Sequence, residues 1–177
     1  MTFSSSIRKF VLLAHVLSSV GWTGAVASFL ALAITGLNTP NAQMARAVYI
    51  AMEPMTSWII VPFAIASLVT GVLLSLGTGW GLFRHYWVIF KLLISGFSLP
   101  LLFLHTEVIH RVAAAALSAQ MSGADLRQDR MQLVVACMAS LGALVGATLL
   151  SVYKPRGLTA LGWRRRVSTR TCTTKKI

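Results

Sequence analysis

The stretch FVLLAHVLSSVGWTGAVASFLALAI, residues 10–34, decides the fold. A helix crosses the bilayer core in about 20 mostly apolar residues, and here only His15 is ionisable. Arg8 and Lys9 precede the run, and Ala31-Leu32-Ala33 looks like a signal-peptidase site. The run nevertheless far exceeds the roughly 7–15 residues of a signal core, so it reads as a retained span. Three further stretches qualify: residues 57–76, 86–104 (with Lys91 inside) and 133–152. The expected fold class is all-α: a polytopic membrane protein, an antiparallel four-helix transmembrane bundle over residues 1–153, followed by a basic tail, 154–177.

Composition agrees. The 177 residues are 56% hydrophobic and 11% charged, whereas a soluble domain carries about 25% charged residues. Such a chain cannot cover itself with polar surface in water. A soluble enzyme, a disordered protein and a compact nucleic-acid-binding domain are excluded. The net charge of +12 is local, because half of the 16 Lys and Arg residues follow Tyr153. Positive-inside topology and attraction to anionic lipids account for that tail. Cys137 in an apolar run and Cys172 in the basic tail do not make a disulfide framework.

Charge also orients the spans. With a cytoplasmic N-terminus, Arg8, Lys9, Arg84 and the tail's basic residues share one side. Arg46, Arg111, Arg127 and Arg130 lie on the other with all four acids, Glu53, Glu107, Asp125 and Asp129. The positive-inside bias places both termini in the cytoplasm. Trp58 near one interface, and Trp80, Tyr86, Trp87 and Tyr153 near the other, suit aromatic belts. The short connection 78–84 makes spans two and three antiparallel neighbours, and the helix-favouring segment 113–120 suggests that span three projects past the membrane.

Small residues recur every four positions: Ser67, Gly71 and Ser75 on span two, and Ala139, Ala143 and Ala147 beside Gly142 and Gly146 on span four. Such stripes let helices approach closely in lipid and are expected to face other helices. Pro100, which removes a backbone donor and crowds the Gly96 carbonyl, predicts a bend in span three, and Pro62 predicts the same in span two.

The chemistry-bearing candidates are the ionisable residues inside the spans, which are costly there and point to function. His15 and Lys91 each lie about five residues past the cytoplasmic edge, roughly 7–8 Å deep, and so share a depth. Ser18, Ser19, Trp22, Val26 and Phe29 fall on the face of His15. Arg84, Trp87, Lys91, Ser95, Ser98, Leu102 and His105 form a largely polar stripe on span three. Bland roles compete: His15 bonding a serine or carbonyl, and Lys91 snorkelling to the interface. His105 lies about 21 Å along the helix from Lys91, at the opposite face. Spaced five apart, His105 and His110 do not converge as an i,i+4 metal pair does. Glu107 and Arg111 are placed for an i,i+4 ion pair.

The string Leu13-Ala14-His15 through Gly21-Trp22-Thr23-Gly24 resembles the first-span signature of copper-resistance D-type membrane proteins and HemJ-type protoporphyrinogen oxidases. Tyr86-Trp87-Val88-Ile89-Phe90-Lys91-Leu92-Leu93 resembles the HemJ-type third span. With Gly77-Thr78-Gly79-Trp80-Gly81-Leu82 and His85-Tyr86-Trp87, the whole four-span pattern is similar to a large uncharacterised family of bacterial integral membrane proteins. The HemJ-like resemblance implies b-type haem with a redox or porphyrin-related role. His15 would be the axial metal ligand, Lys91 in or beside the site, Trp22 and Phe29 against the porphyrin, and Arg84 toward the propionates. The alternatives are copper or small-solute binding and transport, with Met52, Met55, His105 or His110 as soft ligands, or a non-catalytic subunit of a membrane complex. The expected partners are the bilayer, anionic lipid at the tail, and a second copy or membrane complex, with no nucleic acid.

Overall fold

The computed structural model describes residues 4–77, 86–118 and 124–153, with the side chains of Trp87, Ala124 and Asp125 left aside. Five α-helices follow in order: α1 (Ser5–Asn38), α2 (Ala42–Met55), α3 (Val61–Gly77), α4 (Tyr86–Leu117) and α5 (Ala124–Tyr153). A π-helical turn, Thr56–Ile60, joins α2 to α3. The chain thus makes four helical rods long and apolar enough to cross a membrane: α1, α2–α3, α4 and α5. The protein is an all-α four-helix bundle. The expected interfacial Trp80, the inner residues Arg84 and His85, Cys172 and the tail 154–177 lie outside the described residues.

Local sequence explains the helix boundaries. Ser4 caps α1 by accepting a hydrogen bond from the Ile7 amide at 3.4 Å. At the other end Thr39 donates to Thr35, and Pro40 follows. Asn41 then caps α2, its Oδ1 accepting from the Gln43 and Met44 amides at 2.9 and 3.1 Å. The second rod therefore begins at Ala42, well before the expected residue 57. Its extra turns are amphipathic rather than uniformly apolar: Ala45, Val48, Tyr49 and Met52 are buried at helical spacing. Span three continues beyond residue 104, as the helix-favouring segment 113–120 suggested, since α4 runs to Leu117.

α4 runs as one helix through Pro100. The second rod departs from α geometry just before Pro62, one of the two prolines expected to distort a span, where the Val61 amide bonds to Thr56, five residues back. A proline that cannot donate is best accommodated where the ladder is already widened.

The densest packing lies in the half of the bundle remote from the chain ends. Trp22, Phe29, Ala33, Tyr49, Met52, Val112, Ala116 and Leu133 form one buried cluster. Gly36 is required there: a Cβ would stand 2.8 Å from Cζ of Tyr49. Arg130 fixes that ring, its Nε donating to the Tyr49 hydroxyl at 2.9 Å and its guanidinium stacking 4.9 Å from the ring centroid. Its other arm donates to the Gly36 carbonyl. Arg46 caps α4, its Nε donating to the Ala116 carbonyl at 2.7 Å. The exterior is apolar, with Phe10, Trp58, Phe97 and Leu104 outward, a surface suited to lipid.

Of the two small-residue stripes, Ser67 and Gly71 do face α1. On α5 only part does so. Ala147 is buried, but a Cβ on Gly142 or Gly146 would meet nothing. The expected Glu107–Arg111 pair is replaced by a bridge between helices: Arg111 donates to Asp129 of α5 at 3.2 Å. A fixed carboxylate on a packed neighbour outcompetes a flexible one on the same exposed helix face.

Candidate functional site: an intramembrane His–Lys pair

One line of polar contacts ties all four rods together in the half of the bundle nearer the chain ends. It starts on α3, at the Ser67 carbonyl. His15 Nδ1 stands 3.1 Å from that oxygen and 3.1 Å from Thr70 Oγ1. The Thr70 hydroxyl itself donates to the Ala66 carbonyl at 2.6 Å. Both groups facing Nδ1 are therefore acceptors, so Nδ1 carries the proton and donates. In neutral His15 the lone pair is on Nε2.

That lone pair meets a donor. Lys91 Nζ of α4 lies 3.2 Å from His15 Nε2 and donates to Ser151 Oγ of α5 at 2.8 Å. Ser151 in turn donates a hydrogen bond to the Ala147 carbonyl, 3.1 Å away. Around the pair, Ser19 and Ser67 hydroxyls sit 2.8 Å apart, and Ser18 donates back to the His15 carbonyl. The Cε1 edge of the imidazole comes close to α3 because position 71 is glycine: a Cβ there would come 3.1 Å from Cε1 of His15.

The charges do not balance locally. Glu107 is 16 residues along α4 from Lys91, about 24 Å, and Asp129 is 22 residues along α5 from Ser151, about 33 Å. Glu53, the third described acid, holds His110 Nδ1 at 2.6 Å. The ammonium of Lys91 therefore has hydrogen-bond acceptors but no carboxylate among its described partners.

The residues named from sequence separate into two groups. His15 and Lys91 touch, and neither snorkels free. Trp22 is packed in the core two turns further along α1, together with Phe29, and Arg84 lies outside the described residues. Sequence reasoning missed Thr70 and Ser151. The signal for Ser151 was present, since it continues the four-residue spacing of Ala139, Ala143 and Ala147.

The side chains as they stand do not fit a haem on His15. One imidazole nitrogen is held by α3, the other faces Lys91, and the carbon between them abuts Gly71. Trp22 and Phe29 line a separate cavity of about 50 Å³ with His105, Cys137 and Ser140. That is room for a few water molecules and far too little for a porphyrin. Nor are the soft copper ligands gathered. Met52 is buried in the core, His110 is bound to Glu53, and His105 Nδ1 donates to the Leu101 carbonyl at 2.7 Å. Among the described residues no three His, Cys, Asp or Glu side chains cluster as a metal site. Comparison with models of protein families, with curated proteins and with solved structures finds no match, so the functional reading rests on this geometry.

Proposed function

We propose that this chain is a multi-pass membrane protein that binds a small anionic solute at the His15–Lys91 pair, with binding linked to protonation there. The observation that carries the reading is the 3.2 Å approach of Lys91 Nζ to His15 Nε2 with no carboxylate among their described partners. Two bases so close in a low-dielectric setting do not both hold a full complement of protons. The pair carries at most one positive charge, and that charge lacks a counter-ion. An anion entering the site supplies one. Lys91 is the charge that attracts; His15, held by Ser67 and Thr70, accepts or returns a proton as solute enters and leaves.

The test uses purified protein in nanodiscs with ¹⁵N-labelled histidine. Chloride, formate and bicarbonate are titrated while the His15 ring nitrogens are followed by NMR. At least one anion should shift them saturably, and Lys91→Met should abolish the shift. No response to any of the three overturns the reading. A b-type absorption band in the purified protein also overturns it, in favour of the redox or porphyrin-related role that the HemJ-like resemblance implies.

A further inference from the structure

Between α4 and α5, on the lipid-facing side of the bundle, lies an open groove of about 810 Å³. Its walls change character along its length. Leu101, Met131, Val135, Ala136 and Ala139 make one part apolar. Arg127, Gln128 and Gln132 line the end near the start of α5. From Arg127 to Ala139 the helix rises about 18 Å, close to the roughly 15 Å depth of one leaflet of the hydrocarbon core. The polar end is also unspent. Arg127 makes no ion pair among the described residues, and neither glutamine side chain has a described hydrogen bond. The nearby Asp129 is engaged by Arg111.

We infer that this groove holds one anionic phospholipid. Its phosphate sits at Arg127 and the two glutamines, and one acyl chain lies along Val135 and Ala139. The pattern of the walls is that of the lipid itself: a cationic, hydrogen-bonding end joined to an apolar trough one leaflet long. Guanidinium matches phosphate in charge and in its paired donors. The first amides of α5 add positive potential at the same end. A neutral tail alone would not need the polar end, and a soluble anion would not need the trough.

The test is native mass spectrometry of the full chain in detergent. Phosphatidylglycerol and phosphatidylcholine with identical acyl chains are added in equal amounts. The parent should retain one phosphatidylglycerol in about fivefold to tenfold preference, the reach of one charge near a lipid headgroup. Arg127→Gln should bring the two lipids close to parity while leaving the basic tail intact. Val135→Trp should reduce retention of both lipids, whereas Val145→Trp, at an exposed position outside the groove, should change neither. Circular dichroism confirms that each variant keeps its helices. Equal retention of the two lipids by the parent overturns the proposal. So does an Arg127→Gln result like the parent's, which would assign the preference to the tail. A dimer that Val135→Trp dissolves also overturns it, giving the groove to a second copy of the chain.

Discussion

Replacing Gly36 with alanine tests the packing that sets the bundle's geometry. The added Cβ would stand 2.8–3.0 Å from Cζ, Cε2 and the hydroxyl oxygen of Tyr49. The ring cannot retreat freely: it is buried, and Arg130 holds it by a hydrogen bond and by stacking. Overpacking a close-fitted core costs about 1–3 kcal/mol. If the ring yields, a charge-assisted hydrogen bond worth about 1.5–3 kcal/mol is weakened as well. We expect Gly36→Ala to destabilise the protein by about 2–4 kcal/mol. In a Tyr49→Leu background the clash is gone, and alanine's better helix propensity should make the same change neutral or stabilising by up to about 1 kcal/mol. The assay is reversible unfolding in mixed micelles of maltoside and dodecyl sulfate, followed by circular dichroism. A Gly36→Ala protein as stable as the parent, or costs that simply add in the double variant, would refute the argument.

Three further outcomes follow from other contacts. A cysteine placed at Asp125 should react with impermeant maleimide from the side opposite one placed at Ser168, with Ser168 cytoplasmic; labelling of both from one side would reject the topology. Asp129→Asn should cost up to about 1 kcal/mol through its exposed partner Arg111, while Glu107→Gln should leave unfolding unchanged; the reverse order would restore the pairing within α4. Arg46→Ala should speed amide exchange selectively in the last turn of α4, where its guanidinium covers the Ala116 and Leu117 carbonyls, and exchange like the parent's would show that the cap is idle.

The four rods were legible because lipid demands long apolar runs, and α1, α3 and most of α5 are such runs. The meeting of His15 with Lys91 was also foreshadowed, by equal depth from the same membrane edge. What escaped was whatever depends on a partner distant in sequence. The first half of the second rod buries Tyr49 and Met52 against other helices, so its pattern is amphipathic and its hydropathy low for a span. Nothing in the spacing of Arg130 announces Tyr49 and Gly36, nor does the spacing of Arg111 announce Asp129. The haem expectation came from two short strings, one around His15 and one around Lys91. Neither says anything of Gly71 or Thr70, the α3 groups that seat the ring.

The π-helical turn at Thr56–Ile60 has a consequence for how this fold tolerates change in length. One extra residue in a turn rotates everything after it by about 100° relative to everything before. Before the turn, α2 packs chiefly on α4 and α1; beyond it, α3 packs chiefly on α1. The second rod therefore changes its principal neighbour partway across, and the inserted residue works as an indexing step that selects which face each half presents. Removing any one residue from the turn would leave hydropathy, length and span count nearly untouched. It would nevertheless swing Ser67, Thr70 and Gly71 a quarter-turn or more away from His15. Deletions here should thus behave as rotational mutations, disabling the imidazole's seat while the bundle still inserts.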